Sequence, residues 1–278
     1  MAKHSKHSKH FKDNKKDKLE NKKKTEKNHK KQTSQIINVQ NILLAIFIII
    51  FIISVFILVR WYINTGESIK TYDDLAEQVI SVDATEDSNS NANPIDFEKL
   101  KSINSDVVAW IKIEGTTINY PVMKTTDNDY YLKKDFYKEY DSCGSIFQDY
   151  RSNFTDKNIV VYGHNIKRGI MFSDLENIAN GKLGNNVNIE IYLPDRMMKF
   201  KVFSSYYSEP EDYAINTAVN ENELNTFKQT IKQRSEKEFE SDYKNSNQII
   251  TLSTCDRTGK KRVLVHGALS EISFFAEN

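Results

Sequence analysis

The spacing of apolar residues divides the chain into parts of different character. Residues 42–59 form an uninterrupted apolar run in which Ser54 is the only polar member. Such a run is long enough for a slightly short membrane-spanning helix. Lysine and histidine dominate the sequence before it, and after residue 94 the apolar residues fall into short segments separated by turn-forming residues. The pattern therefore predicts a polar tail, a transmembrane helix, a spacer and a folded domain.

Eight short segments of the folded domain have the composition and the flanking turn residues that are typical of strands. The segment at 158–162 is continuously apolar, which predicts a fully buried strand. The predicted strands are Ala109–Ile113, Asn119–Met123, Ser145–Gln148, Asn158–Tyr162, Asn186–Tyr192, Met197–Tyr206, Gln248–Ser253 and Arg262–Leu269. Eight short strands predict a mainly β domain, either a barrel or a sandwich.

Helical spacing of apolar residues occurs in three places. It is weak at 66–80, it is clear where the folded domain begins, and it recurs at 220–243, where we predict the one long helix of the second half. Between the first two helices, 81–93 is rich in Asp, Ser and Asn and predicts a flexible spacer. The apolar positions are, in order, Ile69, Leu75, Ala76 and Val79; Phe97, Leu100, Ile103 and Val107; and Leu224, Phe227 and Ile231.

Charged residues, like apolar residues, are distributed unevenly along the chain. Residues 1–40 contain 13 Lys and 4 acidic residues, a formal charge of +9, so the rest of the chain carries −8 within a total of +1. A lysine-rich flank stays in the cytoplasm, and Arg60, Trp61 and Tyr62 are residue types that favour a membrane–water interface. We therefore expect a basic, disordered cytoplasmic tail (1–41), a transmembrane helix (42–60), an extracellular linker (61–93) and an extracellular folded domain (94–278).

Two alternatives concern the N-terminal part. A cleaved signal peptide also has an apolar run, but that run usually spans only ~7–15 residues and ends in a small-x-small site, which this chain lacks. His4, His7 and His10 lie in a repeated Lys-His-Ser triplet that can ligate a metal, whereas a basic tail held near anionic lipid is the simpler interpretation. The overall charge gives no support to nucleic-acid binding by the whole chain.

The candidate chemistry begins with Cys255, which ends the run Thr251–Cys255. A thiol at the mouth of a barrel or sheet reaches solvent and can act as a nucleophile. Residues 256–261 predict a hairpin loop, so we expect Cys255 and Arg262 to lie opposite each other on antiparallel strands. An arginine there can favour the thiolate, or donate hydrogen bonds to the oxyanion that forms when a thiolate attacks a carbonyl. Arg257 is the competing arginine, and it lies in the loop.

The second cysteine, Cys143, leaves two interpretations open. One disulfide with Cys255 satisfies the cysteine count of an extracellular domain. A domain of about 180 residues can also bury enough surface without a disulfide, so at least one cysteine is available for chemistry.

A cysteine nucleophile needs a group that accepts its proton and later donates one to the leaving amine, a task that suits imidazole. Of six histidines, four lie in the first 40 residues, which leaves His164 and His266. Along one strand His266 lies roughly 13 Å from Arg262, too far to serve a thiol opposite that arginine, so we interpret it as structural. His164 follows the buried strand at 158–162 through Gly163, and we predict that it meets Cys255 at a strand end.

These residues resemble a known family. The run Thr251–Cys255 followed by Arg262, preceded by Tyr162-Gly163-His164-Asn165, is similar to the signature of sortases. Further stretches resemble class B sortases in particular, and the resemblance spans about Phe97 to Leu269. They are Gly144-Ser145-Ile146-Phe147, Asp149-Tyr150-Arg151, Met171-Phe172 with Leu175, and Val265-His266-Gly267.

The resemblance implies both a fold and an activity. The fold is a closed eight-stranded β-barrel with an N-terminal helical extension and a helix between the sixth and seventh strands. The activity is that of a cysteine transpeptidase, which cleaves a sorting signal near the C-terminus of a secreted protein, at a Thr–Gly or similar bond, and joins the protein to a peptidoglycan amine. Class B members are associated with asparagine-proline motifs and need no cofactor.

The resemblance also implies roles for the residues. Cys255 is the nucleophile that forms a thioester acyl-enzyme, His164 is the general acid and base, and Arg262 stabilises the oxyanion and holds the substrate backbone. Ser253 alternates onto the same strand face as Cys255 and, with Tyr162, is a candidate substrate-binding residue. No acidic cluster suggests a metal site.

Other interpretations stay open. Some sortases polymerise pilins and use a pilin lysine as acceptor, and an extracellular cysteine peptidase would release its acyl group to water. A third interpretation is a catalytically silent, membrane-tethered binding domain. The intact set of Cys255, His164 and Arg262 argues against it. Cys143 stands where the family often has serine, so we expect it to be a small packing residue.

Overall fold

Helix α1, Ser5–Val79, is the first element of the computed structural model, which describes residues 5–81, 92–256 and 258–276, without the side chains of 5–18 and 32–39. Of the predicted tail at 1–41, residues 5–41 are helical as part of α1, and the assignment of 1–41 as a disordered cytoplasmic tail stays a prediction. The sequence has no glycine or proline before Gly66 and is rich in lysine and glutamate, which are good helix formers. A helix needs no core of its own, because its backbone hydrogen bonds are internal.

Part of α1, Gln40–Val79, is long and apolar enough to cross a membrane, and it is the one such helix among the described residues. The large apolar side chains of 42–59 are exposed. Exposed apolar side chains on a helix with internally satisfied backbone groups suit a lipid environment.

The chain divides into two compact units, Met1–Tyr62 and Ile63–Asn278. The second unit begins well before the predicted start at residue 94, because the end of α1 contributes to its core through Tyr72, Leu75 and Val79. The helix predicted at 66–80 is therefore present and packs into the core of the second unit, while the extracellular linker at 61–93 stays a prediction.

The predicted spacer lies mostly at 82–91, outside the described residues. Its two ends are joined, since Ser81 N donates to Pro94 O at 2.8 Å and Ile80 forms an isolated β-bridge with Ile95.

Eight strands close into a barrel in the order β1-β2-β3-β4-β9-β10-β8-β7, which confirms the predicted mainly β fold. Neighbours are antiparallel except for β2 with β3 and β4 with β9, which are parallel. A closed barrel leaves no edge strand unpaired. The barrel strands are β1 (Val107–Ile113), β2 (Asn119–Met123), β3 (Ile146–Gln148), β4 (Asn158–Tyr162), β7 (Asn188–Tyr192), β8 (Arg196–Ser208), β9 (Ile249–Cys255) and β10 (Arg262–Phe274).

A small hairpin and a short helix follow β4 and were not predicted. The hairpin consists of β5 (Asn165–Ile166) and β6 (Ile170–Met171), and α3 (Leu175–Ala179) comes directly afterwards. They are too short for their side-chain periodicity to be recognised in the sequence.

Helix α2 (Phe97–Ile103) opens the main part of the domain and is shorter than predicted. Asp96 caps its N-terminus, and Asn104 ends it. The prediction that Val107 continues this helix is wrong, because Val107 is the first residue of β1. The Asn104 side chain instead donates to Tyr131 Oη at 2.9 Å, which ties the end of α2 to the following loop.

Helix α4 (Glu221–Gln233) lies between β8 and β9, the sixth and seventh barrel strands, as the resemblance implied. It begins with a capping box formed by Asn220 and Glu223. The predicted helix continued to residue 243, but the backbone leaves the helix after Gln233, and Glu236 N donates to Ser205 O at 3.0 Å. The helix buries Leu224, Phe227 and Ile231 in a second apolar cluster with residues of β8, β9 and β10.

Candidate active site

Cys255 and Arg262 face each other at the open end of the β9–β10 ladder, as the hairpin prediction required. Arg262 Nη1 donates a hydrogen bond to Cys255 Sγ at 2.7 Å, and both side chains are partly exposed. The loop between them is ordered by the Asp256 carboxylate, which accepts from the backbone N of Lys260 and Lys261 at 3.0 and 3.1 Å. The positive guanidinium therefore lies next to the sulfur without a bridging group.

Strand β4 brings His164 to the same end of the barrel, because β4 runs parallel to β9 and pairs Tyr162 with Ser253. Gly163 N continues the ladder by donating to Ser253 O at 3.2 Å. A Cβ at Gly163 would lie 2.9 Å from the Phe172 ring, so the strand can end this close to Phe172 only with glycine. The two strand ends thus present the histidine and the cysteine on one side of the barrel.

The His164 ring has a defined orientation. Its Nε2 lies 2.8 Å from the carbonyl oxygen of Leu132, which can only accept a hydrogen bond. Nε2 therefore carries a hydrogen, and Nδ1 is the nitrogen available for proton transfer. The next residue, Asn165, donates from Nδ2 to the backbone O of Cys255 at 3.0 Å, so it ties the histidine segment directly to the cysteine.

A cavity of about 250 Å³ collects the predicted site residues. Ser253, which forms part of its wall, is buried, and its hydroxyl has no hydrogen-bond partner among the described residues. A buried side-chain hydroxyl usually has a hydrogen-bond partner, so Ser253 is one of the exceptions among the described residues. The lining residues are Asn128, Asp129, Leu132, Phe147, Tyr162, Gly163, His164, Pro210, Ile215, Ser253, Cys255 and Arg262.

Asp149 supports the cavity wall from behind. Its fully buried carboxylate accepts from the Tyr162 hydroxyl at 3.0 Å and from the Asn128 amide at 3.1 Å, and it forms a bidentate pair with Arg151. Burial acts to raise the pKa of Asp149, but the bonds from Arg151, Tyr162 and Asn128 outweigh burial and lower that pKa below its ordinary value. The ionised carboxylate therefore fixes two cavity-lining side chains.

His266 lies away from this cavity, in agreement with its interpretation as structural. It pairs with Thr251 in the ladder, its Nδ1 lies 3.0 Å from Thr251 Oγ1, and its ring stacks on Tyr206. Complete burial, with a smaller contribution from Arg234, lowers its pKa to about 3. A neutral imidazole without access to solvent is a packing group.

The two cysteines are free thiols, so the alternative of one disulfide is not realised. Cys143 is 1% exposed and belongs to the core, in agreement with the expected packing role, and burial raises the pKa of its thiol. The competing arginine, Arg257, lies outside the described residues.

Sequence reasoning missed several residues of the site. Asn128 and Asp129 come from a loop and Leu132 from the 3₁₀ helix Tyr130–Leu132; all three are distant from Cys255 in the sequence, and no periodicity marks them. Asn165 was visible, since it belongs to the motif that contains His164. Asp149 was visible in the family resemblance, but its bond to Tyr162 required the fold.

Three comparisons with known proteins bear on this geometry. The model of the Sortase domain family matches residues 111–270, a range that contains His164, Cys255 and Arg262. Sortase B of Listeria monocytogenes is 31% identical over 235 residues, which cover 78% of this chain and 93% of that protein.

Solved structures give the same result. Clostridium perfringens sortase B is 33% identical with a TM-score of 0.59, and the match covers 63% of this chain and 100% of the other. A Staphylococcus aureus sortase B–substrate complex is 29% identical with a TM-score of 0.64, and the match covers 75% of this chain and 99% of the other. The similarity therefore extends over the barrel and the site.

Proposed function

The chain belongs to the sortase family and within it to class B. We propose that it is a membrane-anchored cysteine transpeptidase with Cys255 as its nucleophile. Sortases are transpeptidases, so the proposal concerns the mechanism, the residues and the anchoring. The observation that carries it is the 2.7 Å bond from Arg262 to Cys255 Sγ at the wall of a cavity that His164 also lines.

The first half of the reaction forms an acyl-enzyme. The Cys255 thiolate attacks the carbonyl carbon of the scissile peptide bond, and Arg262 donates hydrogen bonds to the oxyanion that develops. Collapse of this intermediate breaks the C–N bond and leaves a C–S thioester. The leaving amine takes its proton from Nδ1 of the His164 imidazolium, which has received the Cys255 thiol proton and acts as the general acid.

The second half transfers the acyl group. An amine, which we propose to be that of a peptidoglycan precursor or cross-bridge, attacks the thioester carbonyl while the now neutral His164 accepts its proton. The new amide bond forms, the C–S bond breaks, and the sulfur leaves as a thiolate next to the Arg262 guanidinium. This returns the cysteine and the histidine to their initial states.

The substrate is proposed to be the sorting motif near the C-terminus of a secreted surface protein. A cavity of about 250 Å³ suits a few residues of an extended peptide rather than a folded surface. Ser253, with its unpaired hydroxyl, and Tyr162, which Asp149 holds in place, are the proposed substrate-binding residues.

The proposed location follows from the N-terminal part of the chain. The basic tail at 1–41 would remain in the cytoplasm and the apolar helix at 42–60 would cross the membrane once, so that the catalytic domain faces outwards. This location would bring the enzyme to secreted proteins and to the cell wall.

Product masses test the proposal. The full chain in detergent micelles would be incubated with peptides that carry asparagine-proline motifs and a Thr–Gly bond, with and without a glycine-based amine. We expect cleavage within the motif and attachment of the amine to the new C-terminus. Cleavage that ignores the amine would favour a peptidase, and attachment of a lysine peptide in preference to the glycine amine would favour pilin polymerisation.

A further inference from the structure

We propose that the last turns of α1 position the catalytic histidine: one face of this helix holds the loop 141–145, and that loop fixes the carbonyl group that orients His164. The inference rests on the proposed function only in that it takes His164 as the acid and base. It makes Tyr72 a positioning residue, and it consists of three consecutive links.

The first link joins α1 to the loop. Asn64, Ser68 and Tyr72 are spaced four residues apart, so they share one helix face. Asn64 Nδ2 and Ser68 Oγ both donate to the Asp141 carboxylate, at 3.2 and 2.5 Å. The Tyr72 hydroxyl donates to Gly144 O at 3.3 Å and lies 2.9 Å from the Ser145 hydroxyl.

The Tyr72 hydroxyl is suited to such a role. Its side chain is 3% exposed and its ring packs edge-on against Tyr120 with centroids 5.4 Å apart. Burial raises the pKa of the hydroxyl above its ordinary value, so the group stays protonated and remains a donor. The ring fixes the hydroxyl in place, and the hydroxyl in turn fixes the loop.

The second link joins the loop to the segment that contains Leu132. Ser145 N donates to Tyr131 O at 3.0 Å, and Ser145 Oγ donates to Lys134 O at 2.7 Å. Gly144, with a φ of +60°, packs so tightly that a Cβ there would lie 2.8 Å from Leu132 O. The position of the loop therefore determines where the Leu132 carbonyl can lie.

The third link is the 2.8 Å bond between Leu132 O and His164 Nε2. It selects the tautomer in which Nδ1 can transfer protons, and it sets the plane of the ring. A displacement of about 1 Å at a reacting group can cost up to about 10²-fold in rate. A small movement of the loop would therefore reduce the rate of the chemical step without removing any group that touches the substrate.

The test uses the full chain in detergent micelles and the variant Tyr72→Phe, which removes the hydroxyl and keeps the ring. Tyr192→Phe is the matched control, because it removes a hydroxyl that donates to Glu190 at 2.8 Å on β7. Thermal unfolding establishes that each variant is folded. The readouts are kcat and KM for a sorting peptide, and the ring ¹⁵N shifts of His164, assigned by comparison with His164→Gln.

For Tyr72→Phe we expect kcat to fall about tenfold with KM nearly unchanged, and the His164 signals to move away from those of an Nε2-protonated ring. The control should behave as the unsubstituted protein. An unchanged kcat, or a reduced kcat with unchanged His164 signals, would overturn the proposal. If Tyr72→Phe does not fold, Ser68→Ala replaces it, with a smaller effect expected in the same direction.

The spectroscopic readout also separates the two proposals. If the unsubstituted chain has no transpeptidase activity, the proposed function fails, yet the His164 signals still report whether Tyr72 orients the ring. If the His164 signals change in Tyr72→Phe but not in Tyr192→Phe, the positioning role is supported. If they do not change in Tyr72→Phe, that role is refuted.

Discussion

Two positions along the β9–β10 ladder carry reactive residue types in opposite environments. At the open end Cys255 and Arg262 are partly exposed, joined by a hydrogen bond of 2.7 Å, and line a cavity of about 250 Å³. Further along the same ladder Thr251 and His266 pair in the interior, where burial lowers the pKa of His266 to about 3. Solvent access and hydrogen-bond partners, rather than residue type, therefore separate a candidate catalytic group from a packing group.

The largest expected effect separates the two cysteines. Cys255→Ala removes the proposed nucleophile and should reduce transpeptidation by at least about 10⁴-fold. Cys143→Ala should leave turnover intact and cost about 1 kcal/mol of stability, because it removes only one buried sulfur. Amide product formation and thermal unfolding measure the two quantities. Equal loss of turnover in the two folded variants would contradict the assignment of Cys255 as the nucleophile and Cys143 as a packing residue.

The two histidines provide the next test. His164→Gln should reduce kcat by about 10³-fold, since it removes a general acid and base. His266→Gln should retain turnover, because it keeps a polar group near Thr251 and leaves the cavity unchanged. Steady-state kinetics of the pair at equal protein concentration measures the difference. Retained activity in His164→Gln would show that another group transfers the proton.

A change at the arginine should have a smaller effect than loss of the cysteine or the histidine. Arg262→Lys keeps the positive charge but replaces a planar group with several donors by a single ammonium, so we expect kcat to fall about 10²-fold. Single-turnover acylation measures the affected step. Unimpaired acylation in Arg262→Lys would mean that charge alone suffices beside Cys255.

The last prediction concerns stability in acid and the buried Thr251–His266 pair. The pKa of His266 is about 3 in the folded protein against an ordinary value of 6.5, so between these values the unfolded chain binds a proton that the folded chain does not. The free energy of unfolding therefore falls as the pH decreases through this window, by up to about 1.4 kcal/mol per pH unit.

Urea unfolding between pH 6 and pH 4 measures this slope, with the fluorescence of the two tryptophans, Trp61 and Trp110, as the signal. His266→Gln should flatten it. Asp149 affects the pH dependence of stability only at lower pH. Its pKa is lower in the folded protein than the ordinary value of 3.8, so its stabilisation is fully present above pH 3.8 and is lost as the pH falls through the folded pKa. An equal slope in both proteins would contradict the buried, neutral His266.

The sequence was sufficient for features that depend on local pattern. Composition and flanking turn residues predicted the eight strands, and the loop at 256–261 was enough to pair Cys255 with Arg262. The parallel pairing of β4 with β9, which brings His164 to the same end, is a long-range contact that no local pattern specifies. The resemblance to sortases provided that relationship before the fold was known.

Other features depended on tertiary contacts. Few apolar residues in the sequence mark the buried face at the end of α1. Tyr72 belongs to the core only because of the way this helix packs. The carbonyl of Leu132 reaches the site from a three-residue 3₁₀ helix and the carboxylate of Asp149 from irregular backbone, and neither segment has a periodicity that the sequence reveals.

The most direct test of the central claim is to isolate the acyl-enzyme. The full chain in micelles would react with a sorting peptide without any amine acceptor, and the digested protein would be analysed by mass spectrometry. We predict a hydroxylamine-sensitive adduct with the mass of the N-terminal peptide fragment on the fragment that contains Cys255, absent in Cys255→Ala. Peptide cleavage without this adduct, or an adduct on another residue, would contradict Cys255 as the nucleophile.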